Sequence, residues 1–451
     1  MKSNFKNLGI CFFLLIANST TSLFAQNPLV THMYTADPTA RVFNGKLYVY
    51  PSSDMVPKEG VDMPSFCMPG YHVFSLENGS TWKDHGWVLK ENDNPWGEKD
   101  SYAMWAPGCI ERDGLYYFYF PAKAKNDKAF RRIGVGVAKK PEGPFKFENS
   151  FIKGIEGIDP GLLLDDDGQA YIFFGGGHEL KVAPLKDNMR EISAPPIKVQ
   201  GLPAGYKEAA FPFKKDGKYY LTFAHVFPQE GYTIGYAISD NPLGPYVYSG
   251  KIMDNIDNGT NHHSLVEYNG RWILFYHFWD ISGFNKLRSM CADYLTFNKD
   301  GSIKKVIPTM RGIGNPTIQD TIQVDRHNGI YKAETAFVSG GEPNGWMVCE
   351  AHSWSNVRFN GVDFGDGRAK KIKARVASGQ RAGNFEVRMG SQNGPLVAKF
   401  PINYTGGWDK WQTIEADIQH NAKGIHDIYV VFNGEAGNTK TVNLNWLILE
   451  P

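Results

Sequence analysis

Five runs of apolar and aromatic residues in this chain each turn back, at an Asn-Gly or Asp-Gly pair, into a second such run. The pairs are Asn44-Gly45, Asp113-Gly114, Asp167-Gly168, Asp216-Gly217 and Asn269-Gly270, set in stretches such as ARVFNGKLYVYP and LVEYNGRWILFYH. Such pairs supply the positive-φ positions of a type I′ turn, so the pattern predicts five β-hairpins whose strands alternate aromatic and β-branched residues. They recur about every fifty to seventy residues, a spacing that suits one four-stranded propeller blade per hairpin. A second signature follows two of them: IGVGVAKKPEGPF from Ile133 and IGYAISDNPLGPY from Ile234, each an alternating strand stopped by a Pro-x-Gly-Pro turn. The expected architecture is a five-bladed β-propeller.

If the first strand of each hairpin is the inner strand of its blade, the residue seven or eight places before the turn sits where that strand enters the central channel. Those places hold Asp37, Trp105, Asp159, Glu208 and His262. Three carboxylates brought to one channel mouth raise one another's pKa and lose solvation, which makes them costly as structure alone. They suit glycoside hydrolysis, which needs one protonated carboxyl for the leaving oxygen and one ionised carboxylate for water or the anomeric carbon. A single Asp-Pro, as in Asp37-Pro38 or Asp159-Pro160, reads as turn initiation. Three acids at the same repeat position favour the catalytic reading.

After a connector between Thr309 and Asp325 rich in Gly, Pro, Thr and Gln, the pattern changes. From about Asn328 to Pro451 strands such as KIKARVAS, NFEVRMGS and VNLNWLIL alternate with turns, which predicts a β-sandwich. The fold class is therefore all-β, with a propeller over residues 28–320 and a sandwich over 328–451. Residues 1–25 form a third unit. Lys2 and Lys6, the apolar run from Leu8 to Ile16, and small residues up to Ala25 have the three regions of a secretory signal peptide. The apolar run is too short to remain as a spanning helix, and Cys11 lies inside it, which argues against a lipoprotein anchor. The protein is expected to be exported, to the periplasm or beyond, with a mature chain beginning near Gln26.

Composition removes several alternatives. A formal net charge of +1 gives no attraction to nucleic acid or acidic lipid, and neutral substrates fit better. The 48 glycines and 14% aromatic residues suit many short strands and tight turns. Four cysteines remain after the signal segment, Cys67, Cys109, Cys291 and Cys349, too scattered for a disulfide scaffold or a zinc site. They read as buried small hydrophobes, with one disulfide left open. The DDDG run at Asp165–Gly168 lacks the spaced ligands of an EF-hand loop.

From roughly Met33 to Gly314 the chain resembles glycoside hydrolase family 43, five-bladed propellers that cleave arabinose and xylose linkages with inversion. The resemblance rests on Thr35-Ala36-Asp37-Pro38, on the stretch from Gly157 to Gly168, and on Tyr206-Lys207-Glu208. It implies Asp37 as general base, Glu208 as general acid, and Asp159 as the acid that orients Glu208 and raises its pKa. Inversion implies a carboxyl separation on the order of 6.5–9.5 Å. The resemblance also places Trp105 in the sugar pocket, although an inner-strand tryptophan is equally a packing residue. Arg288 would contact the sugar or form a salt bridge across the channel, and His262 would face a water or a calcium ion.

The C-terminal part resembles a family 6 carbohydrate-binding module, in the order YKAETA, VDFG, ARVAS, Gly-Gly-Trp and Asn-x-Asn-Trp. That implies a jelly-roll with aromatic residues exposed for stacking on sugars: Trp408 as one wall, Asn445 as a polar partner, Trp354 as the candidate opposite wall, and Glu334 as a ligand of structural calcium. No cofactor is needed for the chemistry. The activity these resemblances imply is an exo-acting α-L-arabinofuranosidase on arabinoxylan or arabinan oligosaccharides of plant cell walls, with β-xylosidase as the nearest alternative. A non-catalytic glycan-binding propeller is the alternative of a different class.

Overall fold

The computed structural model describes residues 27–30, 32–56, 66–77, 81–256, 259–279, 282–309, 311–314, 320–338, 345–381, 383–419, 422–434 and 440–451. The signal-peptide expectation for residues 1–25 lies outside them. The fold is all-β. Four sheets of four antiparallel strands and one of three follow one another from Tyr34 to Leu295, each ordered as in the sequence. Their inner strands are Tyr34–Phe43, Gly108–Arg112, Ile158–Leu164, Tyr206–Lys215 and His263–Tyr268, which we number as blades 1 to 5.

Why these strands are apolar on both faces follows from where the faces go. In the second strand of blade 1, Leu47 and Val49 pack toward blade 5 with Phe275 and Met290, while Tyr48 and Tyr50 pack toward blade 2 with Tyr116 and Phe118. Successive side chains of a strand point to opposite faces, so each sheet contributes to two inter-blade cores. The same alternation sets Tyr117 and Tyr119 of blade 2 against Ile172 and Phe174 of blade 3. The ring closes through the segment before blade 1: Leu29 N–H donates to Met290 O at 3.0 Å, and the Asn27 amide exchanges two bonds with the backbone of Ala292.

Four of the five hairpins turn as their dipeptides predict. Asn44, Asp113, Asp216 and Asn269 have φ between 50° and 54°, and each is followed by a glycine with positive φ. The third differs. Leu164 and Ala170 pair across a longer loop, Asp165 N–H donates to Gln169 O, and only Gly168 is left-handed, at φ 83°. The extra aspartates give a turn closed by a left-handed glycine, which replaces the two-residue I′ loop expected of Asp167-Gly168.

Below the channel mouth, Arg41 crosses the axis from blade 1. Its Nε donates to Cys109 O in blade 2 at 2.7 Å, its Nη2 to Leu162 O in blade 3 at 3.1 Å, and its guanidinium lies 4.6 Å from the Phe211 ring in blade 4.

The C-terminal strands form two facing sheets. One orders Glu334–Val338, Gly345–Cys349, Asn443–Glu450, Lys371–Ser378 and Gly407–Asp417, with Thr321–Gln323 also paired to Asn443–Glu450. The other orders Gly329–Tyr331, Asn356–Asp363, Ile425–Asn433, Asn384–Met389 and Leu396–Pro401. Between them lies one core in which Phe385 and Phe400 stack at 4.5 Å. The four cysteines beyond residue 26 are buried and form no disulfide with one another. No helix among the described residues is long and apolar enough to cross a membrane.

Candidate active site

The residues expected at the channel mouth come together there. Asp37, Trp105, Asp159, Glu208, His262 and Arg288 all line one cavity of about 190 Å³, with Phe66, Met68 and Tyr232 completing its wall. That volume is below the roughly 300–1,000 Å³ of pockets for drug-sized ligands and suits a single sugar ring.

The backbone aims the acids. Asp37 and Asp159 have φ of 49° and 55°, and Ala209, next to Glu208, has φ of 61°. The strand register slips between Ala36 and Thr39 and again between Glu208 and Phe211. These bulges turn side chains out of the sheet and into the channel, a strained backbone that sites tolerate when the surroundings over-determine it. Asp37-Pro38 and Asp159-Pro160 thus lie within strands and initiate no turn.

Asp37 is held as a carboxylate. Arg288 Nη1 donates to its Oδ1 at 3.0 Å, and the Ser52 hydroxyl donates to its Oδ2 at 2.6 Å. Burial opposes ionisation, but the Arg288 guanidinium overrides it and brings Asp37 down to about 2. His277 adds orientation. Its Nε2 donates to Thr260 O at 2.9 Å, and its Nδ1 accepts from the Asp37 N–H at 3.0 Å. This fixes one neutral tautomer, consistent with burial pushing His277 down to about 3.

Arg288 is itself clamped from behind. Asp54 accepts from its Nε at 2.8 Å and from its Nη2 at 2.9 Å, so the guanidinium bridges two buried carboxylates. Arg288 is 2% exposed, and the salt bridge expected as its alternative role is present. Lysine cannot span two acids with a planar fork. We expect Arg288→Lys to move the acid limb of the pH–rate profile upward toward the ordinary carboxylate range and to lower the unfolding midpoint. An unchanged acid limb would show that Arg288 does not set the ionisation of Asp37.

The other two acids sit in opposite circumstances. Asp159 is buried and raised well above its usual range, first by desolvation and then by the nearby Glu208, although its Oδ2 accepts from the Ala209 N–H at 2.8 Å. Glu208 is also raised, again first by burial, and is hydrogen-bonded to Tyr232. Two buried carboxyls this close cannot both ionise cheaply, so the pair retains a proton above the carboxylate range. One cavity therefore holds an ionised acid and a protonated one.

His262 stands between them, its Nδ1 3.9 Å from Asp159 and 4.0 Å from Asp37, with burial lowering it to about 4. Among the described residues no group of three or more His, Cys, Asp or Glu side chains is arranged to hold a metal. Asp37 is engaged by Arg288 and Ser52, and Glu334 is exposed on its strand. Trp105 lines the cavity, while Arg131 lies 4.3 Å from its ring and Tyr71 donates to its carbonyl at 2.7 Å.

Asp54, Ser52, His277 and Tyr232 were not singled out from sequence. KLYVYPSSD does carry a signal, three polar residues ending a strand buried nearly throughout. Phe66 and Met68 reach the cavity from the segment after Asp54, of which residues 57–65 lie outside the described set. The stretch His225–Tyr232 contributes Tyr232.

In the sandwich, Trp354 is 68% exposed with φ 70°, whereas Trp408 is half-buried under Lys440, 4.6 Å above its ring. Trp408 packs on Gly379, where an added Cβ would come within 2.4 Å of its Nε1. Asn445 and Asn443 are both buried, 1% and 2% exposed. Asn443, two residues earlier on the same strand, is the one that meets Trp408, donating to its carbonyl at 2.8 Å.

Comparison with known proteins bears on this geometry. The family model described as Glycosyl hydrolases family 43 matches residues 25–303, and that described as Carbohydrate binding module (family 6) matches residues 323–451. The xylosidase/arabinosidase 43A of Humicola insolens is 38% identical over 61% of this chain and 98% of its own length. The arabinoxylan arabinofuranohydrolase of Paenibacillus polymyxa is 30% identical over 93% of this chain and 73% of its own. A crystal structure of a β-xylosidase/α-arabinofuranosidase from a compost microbial metagenome, in complex with xylotriose and calcium-free, is 38% identical. It covers 62% of this chain and 97% of that one, with a TM-score of 0.57.

Proposed function

The chain belongs to glycoside hydrolase family 43 and ends in a family 6 carbohydrate-binding module, and from that premise we propose that it is an exported, inverting α-L-arabinofuranosidase acting on arabinoxylan side chains. The observation that carries this reading is the opposite protonation of Asp37 and the Asp159–Glu208 pair within one sugar-sized cavity. Asp37 takes a proton from a water molecule as its oxygen attacks the anomeric carbon. Glu208 gives its proton to the leaving oxygen as the glycosidic bond breaks. The base ends protonated and the acid ionised, and exchange with solvent restores both. Asp159 keeps Glu208 protonated between turnovers by mutual repulsion, an arrangement that separates acid and base in one site.

Exo-cleavage is supported by a second cavity of about 330 Å³ that shares Trp105, Ile158 and Glu208 with the first. Glu208 stands between a space for one ring and a space for the leaving group. The exposed Trp354 and the half-buried Trp408 would hold the module on polysaccharide by stacking. Export rests on the N-terminal segment read from sequence.

A second reading, β-xylosidase, is favoured by the higher identity of the propeller alone to a xylosidase/arabinosidase, 38% against 30%. The arabinose reading is preferred because the arabinofuranohydrolase is matched along 93% of this chain, module included. Time-resolved proton NMR of wheat arabinoxylan during digestion separates the two. Free arabinose appearing first with inverted configuration is the expected result. Xylose as the first product would transfer the assignment to β-xylosidase, and no released sugar would favour a binding protein.

A further inference from the structure

Between the fifth blade and the sandwich lies a cavity of about 630 Å³, larger than the one at the channel mouth and lined by both domains. Its floor is Arg311, which is 2% exposed and whose Nε and Nη2 find no hydrogen-bond partner among the described residues. Those two N–H groups lie on one edge of the guanidinium, the fork that matches the two oxygens of a carboxylate. From the sandwich side comes Arg358, whose Nη2 donates to Asn328 O at 3.0 Å while its buried Nε is unpartnered. Lys304 lines the same wall and forms no ion pair among the described residues, and Arg271 lies over the Tyr294 ring.

The acids of the lining do not neutralise this set. Asp293 accepts from the Tyr276 hydroxyl at 2.7 Å and the Thr309 N–H at 3.0 Å, and Asp427 accepts from the Gly361 N–H at 3.0 Å. Tyr294 and Asp320 act on Arg311 electrostatically. A buried guanidinium with two unmet donors is expensive unless an anion completes it.

We propose that this cavity binds a carboxylate borne on a glycan, the chemistry of a uronic acid substituent on a plant polysaccharide. The volume admits more than the charged group alone, and Asn328, whose Oδ1 accepts from the Asn360 N–H at 2.7 Å, lines it together with Asn360. The site is separate from the channel and does not depend on which pentose is released.

The test uses the full chain carrying Glu208→Gln, to suppress turnover, and calorimetric titration with glucuronoxylan. The reference ligand is the same polymer after reduction of its carboxyls to alcohols, which leaves stacking by the sandwich tryptophans in place. We expect the acidic polymer to bind ~tenfold more tightly, the size of one charge-assisted fork. Arg358→Gln with Lys304→Gln should abolish that difference in the binding assay, while sugar release from neutral arabinoxylan by the otherwise wild-type double variant stays within about twofold. Arg311→Lys is the sharper change, but the double variant keeps the test valid if that buried substitution fails to fold. Equal binding of acidic and reduced polymers would overturn the proposal, as would discrimination that survives the double variant. If acetate competes as well as free glucuronate, the cavity is a small-anion site and the glycan assignment falls.

Discussion

Asp37→Asn is expected to lower kcat by about 10²–10⁴-fold, the range for removing a general base. The loss should be similar for activated and unactivated leaving groups, because the amide can no longer take the proton from water whatever departs. The substitution preserves volume and leaves Arg288 paired with Asp54, so the fold should persist. It also has a signature in stability. Asp37 is depressed to about 2 in the folded chain, below its usual value, so its stabilisation is present above the unfolded pKa and is lost as pH falls through the folded one. The wild-type unfolding midpoint should therefore drop between about pH 4 and 2 more steeply than that of Asp37→Asn. Retained activity within tenfold on an aryl arabinofuranoside would remove Asp37 as the base.

Glu208→Gln should behave differently in both respects. With a poor leaving group such as a xylan hydroxyl the loss should again reach about 10²–10⁴-fold, but with a dinitrophenolate, which needs no proton, it should be far smaller. Natural-substrate turnover within tenfold of wild type would mean that another group is the acid. The stability effect has the opposite sign. Glu208 and Asp159 are raised in the folded chain, so the native state binds more protons than the unfolded one once pH exceeds the ordinary carboxylate values, and stability falls as pH rises through that window. Glutamine relieves this, so the variant should unfold at a higher temperature than wild type at neutral pH while being nearly inactive. A lower midpoint would show that the pair carries no such burden.

Much of this molecule is readable from short-range pattern. The Asn-Gly and Asp-Gly turns dictate hairpins because left-handed backbone is local chemistry, and counting back from them reaches Asp37, Asp159 and Glu208. Where local chemistry has two solutions the pattern is silent, as at Asp167-Gly168, where neighbouring aspartates open a longer loop. Asp54 and His277 stayed hidden for a different reason. Their function is given by partners far off in sequence, Arg288 for the one and the backbone of Asp37 for the other. In the sandwich, the asparagines of Asn-x-Asn-Trp could be assigned to a strand but not to their partners: both are buried, and it is Asn443 that donates to the Trp408 carbonyl.

The Arg41 crossing bears on traffic through the site. It ties the backbone of blades 2 and 3 to blade 1, and a channel crossed in this way would be a well with one mouth. A sugar held at the bottom of such a well could leave only past the position of the group from which it was cut. For the exo-acting glycosidase proposed above, departure would then be ordered, polymer first and pentose last, and the free pentose would compete with each incoming chain end for the same seat.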